Sequence, residues 1–454
     1  MTSLAGMFQQ LGCVVSGSDN GIYPPMSHFL ESLGIRFMHG YHAENLQPLP
    51  DLVVVGNVIR RSNPEAIQME KSGVPFTSLP AALIHYVVRD RTRIVVAGTH
   101  GKTTVSSMIA WILHHEKLDP GFMIGGLPVN FETNHRLGKG RFFVIEGDEY
   151  DTSYFDKTPK FLHYRPDLAV VTSCEFDHAD IYDSVERIQD EFRAFIGLIP
   201  ENGSLVAFGE DHRVTELLSA SQAPVLKYGF KAGTDWSVQD VEDRDDGLFA
   251  TIVRQGRVVA SGTLPVVGYH NLLNALAAVA IADRVGIGPR AAVNALGSFK
   301  GVRRRQELVA EVSGVLIVDD FAHHPTEVKE TCSGVHSRFP DRRLVAVFEP
   351  RTNTSRRAVF QKSYVRAFPD ADIVVLREPR EPEKFPVEDR FSSQALASDL
   401  MALGKRAVSF EDGDRILEFL AEEVLERDVV LFMSNGSFDN LASRLGSLLK
   451  ERRT

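Results

Sequence analysis

Seven residues, Gly98-Thr99-His100-Gly101-Lys102-Thr103-Thr104, stand between the apolar run 94–97 and a helix-like stretch that continues to Leu113. Glycines at this spacing let backbone N–H groups turn onto an anion, and the helix N-terminus adds the positive end of its dipole. Lys102 can reach the outer phosphates and Thr103 can offer its hydroxyl to Mg²⁺, so the pattern predicts a nucleoside triphosphate site. A ligand-free strand-to-helix turn is the bland alternative. Strand, Gly-Lys-Thr and helix occur together here, which favours the phosphate cradle.

Two acidic clusters follow predicted strands. Residues 142–145 lead into Glu146-Gly147-Asp148-Glu149, and residues 168–172 lead into Glu175-Phe176-Asp177-His178. Ligands of open parallel sheets bind beyond the carboxyl ends of the strands, so both clusters should face the Gly-Lys-Thr loop. Glu146 and His178 are then candidate metal ligands beside Thr103, holding one or two Mg²⁺ or Mn²⁺ ions against the phosphates. Mg²⁺ prefers oxygen, which makes a His ligand unusual. The alternative is a single acid at Glu146, with His178 as a hydrogen-bonded loop residue.

The elements that must hold these groups divide by rhythm into three segments of an α/β chain. A length of 454 residues suits roughly three domains. Residues 1–90 carry short apolar runs at 13–15 and 52–55 and a turn-rich stretch, Tyr23-Pro24-Pro25. Residues 91–298 hold the phosphate loop, a β-rich patch over 235–263 with turns at Asp246-Gly247 and Gln255-Gly256, and an Ala-rich helix over 271–285. Residues 299–454, after a linker at 297–301, alternate strands at 315–318, 344–348, 373–376 and 429–433 with helices, which predicts a second doubly wound sheet.

Composition excludes several classes. With 43% hydrophobic and 24% charged residues the chain is ordinary globular material, and a net charge of −10 argues against a general nucleic-acid binder. No apolar run approaches the roughly 18 residues of a membrane span, so no membrane association is expected and the chain reads as cytoplasmic. Three widely spaced cysteines fit buried thiols in a reducing compartment.

Taken in order, Gly98 to Thr104, Glu146 to Glu149, Asp177-His178, Gly268-Tyr269-His270-Asn271-Leu272-Leu273-Asn274, Arg303-Arg304-Arg305 and Asp319-Asp320-Phe321-Ala322-His323-His324-Pro325-Thr326 resemble the Mur ligase family over nearly the whole chain. The resemblance implies three domains. A Rossmann-like first domain, lacking its first strand here, binds the UDP-sugar; a central parallel-sheet ATPase follows, and a Rossmann-like C-terminal domain receives the amine. It further implies that Asn271 and Asn274 contact adenine, that Asp320 sits near the ribose, and that Arg305 approaches the γ-phosphate from across the domain gap. Glu146 and His178 would bind metal. ATP, UDP-N-acetylmuramate and an amine are the implied substrates, with Mg²⁺ as the ion.

Family members differ in the amine they take. Glu149 to Lys157, Lys160 to Tyr164, Asn130-Phe131-Glu132, Phe348-Glu349-Pro350-Arg351-Thr352-Asn353-Thr354 and Met433-Ser434-Asn435-Gly436 resemble members that join L-Ala-γ-D-Glu-meso-diaminopimelate, rather than L-alanine, to UDP-N-acetylmuramate. A tripeptide needs a longer polar pocket, which Arg351, Asn353 and Asn435 could line; ordinary loop hydrogen bonding explains the same residues equally well. Adjacent side chains point apart, so at most one of His323 and His324 is expected to face the site.

Two departures from the family pattern stand out. Several members carry a carbamylated lysine that bridges the metal, yet no lysine occurs here between Lys160 and Lys227. The segment Met1-Thr2-Ser3-Leu4-Ala5-Gly6 already resembles the helix that follows the first strand and Gly-rich loop of relatives, so a start upstream of Met1 is expected. Ser18 and Asp19, after the run 13–15, are then the remaining candidates for the UDP-sugar, with a simple turn as the alternative for Asp19. A P-loop regulator that hydrolyses ATP without ligation is the competing class. It would have no need of Asn271, Arg305 and Asp320 around one nucleotide.

Overall fold

The computed structural model describes residues 1–454 except 23–25, 232 and 453–454, and except the side chains of Met26 and His28. The expected Tyr23-Pro24-Pro25 turn therefore lies outside the described residues.

In the first segment, β1 (Ser16–Asp19) pairs in parallel with β2 (Arg36–His39), and β3 (Val53–Val55) with β4 (Phe76–Ser78). The two pairs share no hydrogen bonds among the described residues, so the Rossmann-like domain expected to lack its first strand holds two short parallel ribbons. The first strand also begins later than expected. Residues 13–15 lie before it, with Val14 fully exposed, and the paired residues are the polar Ser-Gly-Ser-Asp. Ser18 and Asp19 thus sit within a strand rather than after one. The helix Thr2–Gln10 is formed as expected and buries Leu4 and Met7 in a core shared with the central domain. It approaches so closely that a Cβ on Gly6 would stand 2.7 Å from His135 Nε2.

The central sheet has β5 (Thr92–Ala97), β6 (Gly121–Met123), β7 (His135–Arg136), β8 (Phe142–Glu146), β9 (Leu168–Val171), β10 (Ser204–Phe208), β11 (Val225–Gly229), β12 (Trp236–Arg244), β13 (Gly247–Arg254) and β14 (Arg257–Leu264). Their order is β14-β13-β12-β11-β10-β9-β5-β8-β6-β7, so β5 lies between β8 and β9, parallel to both. Both faces of β5 are covered. Ile94 and Val96 join one apolar core with the helices Lys102–His115 and Tyr269–Arg284, while Val95 and Ala97 join the other, as period-2 alternation requires. The β12-β13-β14 meander closes its second turn on Gln255 and Gly256, both with positive φ, which matches the twist of the flanking strands.

The C-terminal sheet comprises β15 (Glu307–Val312), β16 (Val315–Asp320), β17 (Leu344–Phe348), β18 (Ile373–Arg377), β19 (Arg406–Phe410) and β20 (Val429–Met433), ordered β15-β16-β20-β17-β18-β19. All its neighbouring strands are parallel except β15 with β16. Its helix Pro325–Arg338 opens with a capping box: the His324 side chain accepts from the first turn and Glu327 reaches back to the cap. That cap fixes both side chains at the face turned towards the central domain. Phe176 packs against both the central and the C-terminal cores.

Gly98 turns with φ +135 at the end of β5, where a Cβ would meet the Thr172 side chain and the backbone N atoms of Ser173 and Thr172 at 2.9 and 3.0 Å. Backbone cannot yield as a flexible side chain can. Gly98→Ala should cost about 2 kcal/mol or more and lower the melting temperature by roughly 4–8 °C in a circular-dichroism melt. An unchanged melt would show that the turn relaxes freely.

Candidate active site

The phosphate loop is braced by the loop after β9. Thr99 N donates to Ser173 O at 3.2 Å, His100 N to Ser173 Oγ at 2.9 Å, and Glu175 N to Thr99 Oγ1 at 2.8 Å. Gly101, in the left-handed region at φ +79, caps the helix Lys102–His115 without a side chain, so the first-turn N–H groups have no side-chain cap. A Cβ on Gly101 would stand 2.6 Å from Asn274 Oδ1. The loop backbone is thereby held in one shape from both sides.

Lys102 and its acids form the centre. Its Nζ donates to Gly98 O at 2.6 Å, Thr99 O at 3.1 Å and Glu149 Oε1 at 2.9 Å. Burial opposes the charge on Lys102, but Glu149, Glu146 and Asp148 outweigh it and raise its pKa. Glu146 ends β8, where Oε1 accepts from Thr103 Oγ1 at 2.9 Å and Oε2 from Gly125 N at 2.6 Å. Burial nevertheless pushes the Glu146 carboxyl above the usual carboxylate range. His178, left-handed at φ 54, faces Glu149 at 3.2 Å and stacks near Tyr150. The structure therefore brings Thr103 and Glu146 together as anticipated, whereas His178 partners Glu149.

Glu149 was not among the residues singled out as ligands. Burial works against its charge, yet Lys102 and His178 hold it below its ordinary pKa, and its Oε2 is buried with no hydrogen-bond partner among the described residues. Thr103 Oγ1, Glu146 and this free Oε2 are hard oxygen donors beside a phosphate loop, which fits Mg²⁺. The signal in the sequence was the last acid of Glu146-Gly147-Asp148-Glu149, but only the fold shows that it meets the lysine.

The C-terminal domain closes over the same loop. His100 lies between carboxylates of both domains, with Nδ1 3.2 Å from Glu327 Oε1 and Nε2 3.7 Å from Glu175 Oε2. Glu327 also pairs with His323 at 3.2 Å and with Arg305 at 4.0 Å, and His323 faces Asp177 at 3.8 Å. His324 stands at the loop as well, its Nδ1 3.7 Å from Glu175 Oε2 and its ring 4.6 Å from that of His100, centroid to centroid. It accepts from Thr326 N through Nδ1 and lies 3.2 Å from Phe176 O through Nε2, while burial and the nearby His100 charge lower its pKa to about 4. Both histidines therefore reach acids at the site, contrary to the expectation that at most one would face it: His323 meets Glu327 and Asp177, and His324, while capping its helix, lies against Glu175.

A cavity of about 290 Å³ lies beside the loop, lined by Thr104, Asn271, Arg305 and Gln306 together with apolar Met108 and Val266. Asn271 Nδ2 donates to Val267 O at 2.9 Å and to Gln306 Oε1 at 3.0 Å, while Asn274 supports it from behind at 3.1 Å. Arg305 lies 4.8 Å from the centre of the Phe321 ring. Asp320, expected near a ribose, accepts from Ala322 N and from the N–H of Gln306, a residue of the cavity lining, both at 2.7 Å. Burial raises its pKa to about 6.

The remaining candidates lie further out. Ser18 Oγ donates to Glu65 at 2.6 Å, and Asp19 accepts weakly from Gly21 N at 3.3 Å, a local turn contact. Asn353 donates to Asp180 at 2.8 Å across the domain boundary. Arg351 lies 3.7 Å from Glu349, and Asn435 Oδ1 is buried and unpartnered among the described residues.

The bridge through His100 is titratable. Burial disfavours its charge, but Glu175 and Glu327 outweigh it and raise the pKa from 6.5 to about 10. A raised folded-state pKa gives stabilisation that is complete below about pH 6.5 and is lost as the pH climbs towards about 10. Melting temperatures followed between about pH 6 and 10 should fall along this limb in the wild type and be flatter in His100→Gln. Parallel curves would remove the bridge from the account.

Comparison with known proteins supplies the family. Three family models match in order: "Mur ligase family, catalytic domain" over residues 1–90, "Mur ligase middle domain" over 96–282, and "Mur ligase, glutamate ligase domain" over 304–436. An Escherichia coli K12 relative, UDP-N-acetylmuramate–L-alanyl-γ-D-glutamyl-meso-2,6-diaminoheptandioate ligase, is 37% identical over 98% of this chain and 95% of its own. A UDP-N-acetylmuramate–L-alanine ligase of Geobacter sp. M21 is 36% identical over 96% and 92%. A crystal structure of a murein peptide ligase from Psychrobacter arcticus 273-4 superposes with a TM-score of 0.73 at 33% identity, covering 99% of this chain and 96% of that one. The UDP-N-acetylmuramate-alanine ligase of Thermotoga maritima shares the fold, with a TM-score of 0.81 at 24% identity over 100% and 97%. Matched by three successive family models and by relatives over nearly its whole length, the chain belongs to the Mur ligase family of ATP-dependent ligases.

Proposed function

We propose that this protein joins the tripeptide L-Ala-γ-D-Glu-meso-diaminopimelate to UDP-N-acetylmuramate at the expense of ATP, in cytoplasmic recycling of cell-wall peptide. The observation that carries the reading is near-full-length similarity to ligases of that specificity, in Escherichia coli and in Haemophilus influenzae at 36% identity. Alanine-specific relatives align almost as well, so the amine is the point to test.

A carboxylate and an amine do not condense unaided. The muramoyl carboxylate attacks the γ-phosphorus, ADP leaves, and an acyl phosphate forms. The neutral amine then attacks the acyl carbon, the C–O bond to phosphate breaks, and inorganic phosphate departs with the former carboxylate oxygen while the amine's proton passes to it or to solvent. Lys102 screens the approach of one anion to another, and Arg305 adds charge from the opposite domain. Asn271 and Arg305 line the nucleoside cavity. Thr103, Glu146 and Glu149 would hold Mg²⁺, with His178 behind Glu149 or as a further ligand, for one ion or two and with Mn²⁺ as a substitute. Bound there, the ion would neutralise the phosphate oxygens. Docking of the C-terminal domain excludes water and orients the amine, which supplies the entropic part of the acceleration. Ser18 and Asp19 are assigned to the UDP-sugar; Arg351, Asn353 and Asn435 to the peptide.

Incubating the protein with ATP, Mg²⁺, UDP-N-acetylmuramate and either tripeptide or L-alanine, with phosphate release and product mass as readouts, tests the assignment. Amide product with the tripeptide is expected; product with alanine alone would overturn it. A second experiment isolates Lys102. Lys102→Ala would leave Glu149 buried without its ammonium, a loss of about 3–5 kcal/mol that confuses folding with chemistry. The double variant Lys102→Met/Glu149→Gln removes both charges. It should melt nearer the wild type than Lys102→Ala does, yet release phosphate at least roughly 100-fold more slowly. Wild-type phosphate release from the double variant would remove the loop from the reaction.

A further inference from the structure

The carboxyl ends of the C-terminal sheet form a rim that runs well past the nucleotide. Asp320, Met433, Phe348 and Leu376 are in register along β16, β20, β17 and β18, so Phe321, Ser434, Glu349 and Arg377 follow one another along the rim. Three strand spacings separate its ends, about 14 Å. Arg305 and His323 mark the near end, beside the phosphate loop. The far end is a cluster of charge of which the reaction as described uses only Arg351.

Arg377 is 6% exposed and Glu349 1%, an uncommon depth for charged groups. Arg377 Nη1 lies 3.5 Å from Glu349 and 2.5 Å from Asp439. Arg380 Nε lies 3.5 Å from Glu349, and its guanidinium also meets Asp439. Arg351 completes the group at 3.7 Å from Glu349. Three guanidinium groups therefore face two carboxylates. Arg351 Nη1, Arg377 Nε and Glu349 Oε1 are buried yet have no hydrogen-bond partner among the described residues. Arg351 and Arg380 keep side-chain exposures of 37% and 41%, so the excess positive charge opens to solvent. A purely internal ion-pair network would balance its charges and use its donors. Unused guanidinium donors beside an accessible arginine are instead suited to an incoming carboxylate.

We propose that Arg377 and Arg380, with Arg351 at their edge, form a subsite for the carboxylate at the end of the peptide farthest from the reacting amine. The proposal rests on the ligase reading above. With its amine held near Arg305, a single amino acid spans only the β16 end of the rim. Three residues reach roughly 10 Å when extended, and the γ-linked middle residue lengthens them further, which brings the last carboxylate to β18. The rim thus measures the length of the substrate and reads the charge at its end.

The test is a cycle between protein and substrate. Rates of amide formation are measured for the wild type and Arg380→Ala, each with the tripeptide and with the same peptide amidated at its final carboxyl groups. Arg380→Ala should lower kcat/KM for the tripeptide roughly 10- to 100-fold, chiefly through KM. Amidation should cost the wild type a similar factor, and the two changes together should cost little more than either. KM for ATP should not move. Multiplicative losses, or no loss in Arg380→Ala, would overturn the subsite. Arg380 is exposed enough for the variant to fold, which a thermal melt checks, and Arg377→Lys gives a second, charge-conserving reading of the same cycle. A wild type that ligates alanine but not the tripeptide would overturn the ligase assignment itself, an outcome separate from failure of the cycle.

Discussion

Negative charge buried without water has to be answered by positive charge, and the active centre is organised around that demand. Glu146, Asp148, Glu149, Glu175 and Asp177 all follow or end the strands on either side of the phosphate loop. Left alone, such acids would take up protons or force the fold apart. Instead Lys102 meets Glu149, Lys160 meets Asp148 at 2.8 Å, and His100 meets Glu175. Asp177 is held well below the usual carboxylate range, its burial overcome chiefly by His323 and His178. Of these two, His323 comes from the C-terminal domain. Part of the central domain's charge balance is therefore supplied from outside it.

This coupling connects electrostatics to geometry. Glu327 gathers His100, His323 and Arg305, so one carboxylate on the C-terminal domain registers the phosphate loop and the arginine that opposes it. The helix cap that fixes Glu327 also fixes His324 against Phe176 O. A shift of the domain would disturb all of these contacts together, and a concerted boundary of this kind favours discrete open and closed arrangements over a continuum.

What the sequence disclosed followed the range of each interaction. The phosphate loop, the acids after β8 and β9 and the β12–β14 meander are local patterns, written in neighbouring residues, and they could be placed directly. Glu149 needed knowledge of which acid meets Lys102. The role of His100 as a bridge depends on Glu327, more than two hundred residues away, and no spacing rule carries that. For Asp320 the place at a strand end was legible, but that its oxygens accept Gln306 N and Ala322 N is decided by packing. In the first domain the strand signal of residues 13–15 failed because apolar type alone does not supply a partner strand. Arg377 and Arg380 carried no signal at all, since an arginine after a strand is commonplace until three of them converge.

Phe176 has a thermodynamic consequence. Its ring lies among apolar residues of both domains, and it sits 6.4 Å from Phe360, centroid to centroid. Separating the domains would wet these surfaces, and hydration of apolar groups raises heat capacity. The opening equilibrium must then curve with temperature, with its enthalpy growing as the solution warms. An enzyme whose turnover waited on that opening would carry the same curvature into its Arrhenius plot, with no change in the chemical step.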